Sequence, residues 1–143
     1  MLLLLAVAAG IPTPAAYAKA GDWPTYLQSN ARRGFNAAET IINPSSAPHL
    51  KVHWKFLAGG AIFSQPIEAN GHIYWGSFDG YEHESNLDGS QVWQQFLGQK
   101  PSNCGKNVFG VVSTATVASV SINGTLTTVV NVPLIDKIGR AHV

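Results

Sequence analysis

Four short runs rich in β-branched and aromatic residues follow one another: Ile62–Ala69, Ile73–Ser77, Tyr81–Asn86 and Gln91–Phe96. The dipeptides Asn70-Gly71, Asp79-Gly80 and Asp88-Gly89 separate them at nine-residue spacing. Asn-Gly and Asp-Gly are favoured where both turn residues take positive φ, as in type I′ hairpins. Short strands with a turn signal after each predict an all-β meander of four antiparallel strands. Such a meander is one blade of a β-propeller or one sheet of a sandwich.

The flanks extend the pattern. Lys51–Phe56 reads as a strand leading in. Before it, Ser45–Leu50 reads as one helical turn, with Pro44 at the first helical position behind Asn43 as cap. Residues 98–110, GQKPSNCGKNVFG, have the Gly, Pro, Ser and Asn content of a loop. Val111–Ile122 and Thr125–Val132, either side of Asn123-Gly124, then read as two further strands, the opening hairpin of a second unit. Trp54 and Trp93 bracket the meander about forty residues apart, the period of propeller repeats.

Composition narrows the class. The 143 residues carry a net charge of +1 and 14 glycines. This suits a turn-rich β protein. The near-neutral balance leaves no basic footprint for nucleic acid. No lysine or arginine cluster marks a membrane surface.

The meander resembles the pyrroloquinoline-quinone (PQQ) type repeat of quinoprotein alcohol dehydrogenases and polyvinyl-alcohol-dehydrogenase-like proteins. Trp54, Phe56, Gly59, Gly60, Pro66, Ile67, Gly71, Tyr74, Gly76, Asp79, Gly80, Gly89 and Trp93 carry the likeness. The lead-in adds Asp22, Trp23, Pro24, Tyr26, Ala31, Arg32 and Gly34, similar to the Asp-Trp-Pro-x-Tyr and Ala-Arg-x-Gly segments of these proteins. The resemblance implies the N-terminal part of a propeller of about eight blades. Residues 19–50 are then the lead-in, 51–97 the first blade, 98–110 a loop and 111–136 the start of a second blade. It implies that Trp93 packs on a neighbouring blade, and that the partners of this segment are the remaining blades. A repeat cannot bury its apolar face alone. The chain by itself is therefore expected not to fold stably, and helices in place of these strands, or an edge of the meander closed off by its own chain, would overturn the blade reading.

Function follows from the resemblance in two forms. One is a secreted, quinoprotein-like oxidoreductase acting on small alcohols, for which the family cofactor is PQQ with calcium. The other is a non-catalytic propeller scaffold, like the lipoproteins of outer-membrane protein assembly, which lack the Asp-Trp-Pro lead-in. Three positions speak against PQQ binding through this segment. Phe63 stands where the family carries a glutamate, Cys104-Gly105 where it carries adjacent cysteines, and Val108-Phe109-Gly110 where it carries Asn-Arg-Gly. An apolar ring cannot replace a carboxylate or a guanidinium in holding an anionic quinone.

Other chemistry is sparse. Glu82-His83-Glu84 is the densest ionisable run. On a strand its glutamates share one face and His83 takes the other, and a solvated strand accounts for it better than a metal site does. His49 and His53 have helical metal spacing, but a strand over Lys51–Phe56 separates them by about 13 Å. Asn123-Gly124-Thr125 is a glycosylation sequon and also a plain hairpin turn. There is no Ser/His/Asp arrangement, phosphate loop or dinucleotide fingerprint.

The termini carry processing signals. Residues 1–18 read as a secretory signal without its basic start, ending at Ala16-Tyr17-Ala18, and imply a secreted or periplasmic protein. Pro12 and Pro14 cut the apolar run short of the ~20 residues that span a membrane. Cys104, the single cysteine, is either a free thiol or half of a missing pair. Residues 138–143, Ile-Gly-Arg-Ala-His-Val, match the translation of a common sequencing adapter. This predicts an artefactual tail over 137–143, a biological chain cut short around Asp136, and no part for the tail in the fold.

Overall fold

The computed structural model describes residues 19, 21–101 and 108–134, and the backbone of 138–142. The signal-like segment and Cys104-Gly105 lie outside these residues. The described chain is all-β. A four-stranded antiparallel sheet runs β1 (Ile67–Ala69), β2 (His72–Gly76), β3 (Tyr81–Asn86) and β4 (Gln91–Phe96) in sequential order. A two-stranded ribbon follows, β5 (Lys100–Pro101) with β6 (Val108–Phe109). A second antiparallel sheet holds β7 (Thr116–Ile122), β8 (Thr125–Pro133) and β9 (Ile138–His142). Among the described residues no helix is long and apolar enough to cross a membrane.

The turns divide into two kinds. Asn70 and Gly71 both take positive φ, 57° and 85°, as do Asn123 and Gly124, 51° and 82°. These are the two-residue type I′ links expected of Asn-Gly. At the Asp-Gly pairs only the glycine is left-handed, Gly80 at 89° and Gly89 at 86°. There the loop is one residue longer. Gly80 N donates to Ser77 O and Gly89 N donates to Asn86 O. Each aspartate instead caps its loop: Asp79 Oδ1 accepts from Tyr81 N, and Asp88 Oδ1 from Ser90 N. The expectation of a type I′ turn at every site is therefore corrected for both Asp-Gly pairs. A three-residue loop needs only its last residue left-handed.

Two strands begin later than expected, β1 and also β7, which starts at Thr116 rather than Val111. The ladder of β1 begins at Ile67, not Ile62, because the preceding backbone bonds to side chains. Ser64 Oγ accepts from Gly76 N and donates to Gly76 O, and Gln65 N donates to Thr114 Oγ1. Pro66 then offers no N–H. Lys51–Phe56 is not a strand, since among the described residues no ladder partner lies alongside it. Trp54 Nε1 instead donates to Leu87 O at 2.9 Å, anchoring the segment across the sheet. The helical turn also shifts. It is a 3₁₀ turn at Ala47–His49 behind Ser46, and Asn43 caps the preceding turn by accepting from Ser45 N and Ser46 N. The loop over 98–110 contains β5 and β6, and the tail set aside from the fold pairs as β9 with β8.

The apolar core lies between the two large sheets. Ile67, Ala69 and Tyr74 of the first meet Val117, Val130 and Val132 of the second, with Val111 and Ala115 between them. Trp93 packs against this core from β4, over Tyr74, with ring centroids 6.4 Å apart. The inward face of the first sheet is thus covered by the chain itself. The lead-in ties the sheets together. Trp23 and Glu68 exchange both backbone hydrogen bonds, at 2.7 and 3.1 Å, and Val117 N donates to Pro24 O at 3.0 Å. The expected absence of any closure by the chain's own backbone therefore does not hold at β1, where one bridge occupies the middle residue of the edge.

Candidate functional site

β3 is the polar centre of the molecule. Its sequence, Tyr-Glu-His-Glu-Ser-Asn, reads as a solvated strand, yet Glu82, His83, Glu84 and Ser85 are all buried, none more than 3% exposed. The solvated-strand expectation is corrected, and the reason is position. β3 is an interior strand, and both of its faces are covered. Register sets Glu84 opposite Tyr74 and Glu82 opposite Gly76 on the core side, and His83 opposite Trp75 on the other. Over that second face lies the non-strand segment 51–56. Phe56 meets Trp75 at 5.1 Å and His83 at 5.2 Å, both edge-on. His83 stacks on Trp75 at 5.2 Å with planes 10° apart.

The two glutamates differ. Glu84 Oε1 lies 2.9 Å from His72 Nδ1, at ion-pair distance but out of line for a hydrogen bond. Glu82 has no partner on either carboxylate oxygen among the described residues. Burial pushes its carboxyl up to about 8. An isolated buried charge is costly, so the group keeps its proton. Burial also raises the Tyr74 hydroxyl, helped by the charge of Glu84 and a hydrogen bond to it. Burial lowers His83, an effect that nearby Asp79 partly offsets. The grouping of His72, Tyr74 and Glu84 was not apparent from the linear sequence. The strand register across the Phe78–Gly80 loop is the signal that brings them together.

The blade-motif residues occupy structural places. Asp79 ties the 59–60 segment to the loop, since its Oδ2 accepts from Gly59 N at 3.0 Å. Burial raises its carboxyl, but hydrogen bonds from Ser77, Tyr81 N and Gly59 N outweigh that and hold it below the usual range. A Cβ on Gly60 would come within 2.6 Å of Asp79 N. Gly76 lies beneath Val111, Gly80 beneath Phe96 and Gly89 beneath Trp54, whose ring would stand 2.7 Å from an added Cβ. Gly71 completes a turn, Pro66 precedes β1, and Trp93 rests on the core.

Of the positions compared with quinone contacts, Phe63 and Phe109 both meet Phe78, and Cys104-Gly105 lies outside the described residues. Phe63 stacks on Phe78 at 4.7 Å with planes 22° apart, and Phe109 meets Phe78 edge-on at 5.0 Å. The result is a three-ring apolar cluster, and none of the three rings can take the place of the carboxylate or guanidinium that the resemblance expects at these positions. His49 turns back on its own 3₁₀ segment, its Nδ1 3.1 Å from Ser45 O. Among the described residues no group of three His, Cys, Asp or Glu side chains is arranged to hold a metal ion. No protein-family model matches the chain, and a comparison with curated proteins finds no match.

Proposed function

We propose that this chain is the N-terminal part of a secreted or periplasmic β-propeller of the PQQ-repeat kind, belonging to a quinoprotein-like oxidoreductase that acts on alcohols. The observation that supports this reading best is the bonding of the lead-in to both sheets, although its single bridge from Trp23 to Glu68 covers the middle of the β1 edge and in that respect counts against an open blade. The Asp22-Trp23-Pro24 segment is the feature that separates the dehydrogenase-like proteins from the scaffolds. Here Trp23 bonds to β1 and Pro24 to β7, while Asp22 Oδ2 accepts from Asn70 N at 3.2 Å. A segment built into both sheets is part of the fold rather than an appendage. The sheet pair is compatible with two adjacent blades, and the outward residues of β4 are then the surface for a further one. In this reading residues 51–136 supply packing, and the groups that touch substrate and cofactor come from other blades.

A second reading is a non-catalytic propeller scaffold, favoured by the Phe63–Phe78–Phe109 cluster. A dye-linked alcohol oxidation assay on the full reading frame, with added PQQ and calcium, separates the two. Turnover that requires the quinone supports the first reading; no turnover and no quinone binding exclude it.

A further inference from the structure

A cleft of about 480 Å³ opens between the lead-in and the segment that enters β7. Its lining combines three kinds of group. Phe63 supplies an aromatic face: one side of the ring stacks on Phe78, and the residue is 71% exposed. Thr25, Ser113 and Thr116 line the cleft, and the hydroxyls of Thr25 and Thr116 are hydrogen-bonded to each other at 2.8 Å. Arg32 supplies the charge. One of its nitrogens, Nη1, donates to Tyr26 O at 2.8 Å, and the guanidinium sits 5.6 Å from the centre of the Tyr26 ring. These contacts fix the position of the group without neutralising it. Among the described residues no acidic side chain lines the cleft.

The loop that carries Arg32 is held in a costly shape. Leu27, Gln28 and Arg32 are non-glycine residues at φ 54°, 74° and 54°. Such conformations are uncommon outside glycine and gather at ligand sites. Here they bring Tyr26 and Arg32 to the cleft.

We propose that this cleft binds an acidic saccharide, a uronic acid unit. Each part of the lining has a counterpart in that ligand. The apolar face of the pyranose ring lies on Phe63, as flat rings do on exposed aromatics. Its hydroxyls meet Thr25, Ser113 and Thr116. Its carboxylate takes the free edge of the Arg32 guanidinium, whose planar fork suits two parallel hydrogen bonds. The site is independent of quinone binding and does not rest on the oxidoreductase reading.

The test is a calorimetric titration of the protein expressed from its full reading frame with trigalacturonate, and with galactotriose as the neutral counterpart. The expected result is a Kd tighter than about 1 mM for the acidic trimer and binding at least about tenfold weaker for the neutral one. Arg32→Gln removes that preference, Arg32→Lys keeps part of it, and Phe63→Ala weakens both sugars. Far-UV circular dichroism of each variant matches that of the parent. Equal affinity for the two trimers, no binding of either, or variants that leave affinity unchanged would overturn the proposal.

Discussion

β3 and β4 are adjacent six-residue strands whose exposure is the reverse of their composition. β3 carries two glutamates, a histidine and a serine, and all four are buried. β4 carries Val92 and Phe96, which are 47% and 50% exposed, and only Trp93 reaches the core. A bulge between Glu84 and Ser85 leaves Val92 without a partner in the ladder. Burial in this chain is therefore set by place in the sheet. An interior strand covered on both faces buries whatever it carries, whereas β4, an edge that no other segment covers as the lead-in covers β1, leaves even its apolar residues exposed. Unpartnered carboxyl oxygens on β3 and exposed apolar groups on β4 mark where the fold is under tension and where a neighbour is expected.

The largest expected effect comes from crowding the buried side of this pair. Gly76→Ala adds a methyl group that collides with Val111 and comes within 2.8 Å of Glu82 Oε2. It should destabilise the protein by about 3 kcal/mol, as overpacking does, read as a drop in the urea midpoint. Next comes the charge on Glu82. Its folded pKa is raised from 4.5 to about 8, so between those values the folded state holds a proton that the unfolded state has lost. Stability then falls as pH rises through this window. His83 works in the opposite sense, since its lowered pKa costs stability only as pH drops below its ordinary 6.5. From pH 6.5 to 8 the glutamate dominates. Unfolding free energy should drop by roughly 2 kcal/mol across that interval, and Glu82→Gln should flatten the slope.

Two glycines give a finer comparison. Gly71 and Gly89 have nearly equal φ, 85° and 86°, but a Cβ on Gly71 meets nothing within 4 Å and one on Gly89 meets the Trp54 ring. Gly71→Ala should cost about 1 kcal/mol for backbone strain alone. Gly89→Ala should cost visibly more, and the difference should vanish in a Trp54→Ala background. The smallest effect belongs to β4: Val92→Thr should change stability by less than about 0.5 kcal/mol, unless another blade or a second molecule covers that strand.

How much of this was legible depended on which groups the backbone bonds to. β3 and β4 match their sequence-derived limits because a Gly at the end of each loop fixes the register. The first expected strand keeps only its last three residues, Ile67–Ala69, because Ser64 and Thr114 hydroxyls take the place of ladder partners, which no hydropathy pattern records. Lys51–Phe56 has the composition of a strand and does the work of a lid, with Phe56 over His83. The burial of Glu82 was not legible at all. It depends on Val111 and the second sheet, distant in sequence, closing over Gly76.

The most direct test of the account is a carboxyl-carbon NMR titration of Glu82 in the folded protein. The expected midpoint is near 8, with Glu84→Gln leaving that signal in the same range. A midpoint near the ordinary 4.5 would mean that water or a charge partner reaches Glu82, and that β3 is not the doubly covered strand described.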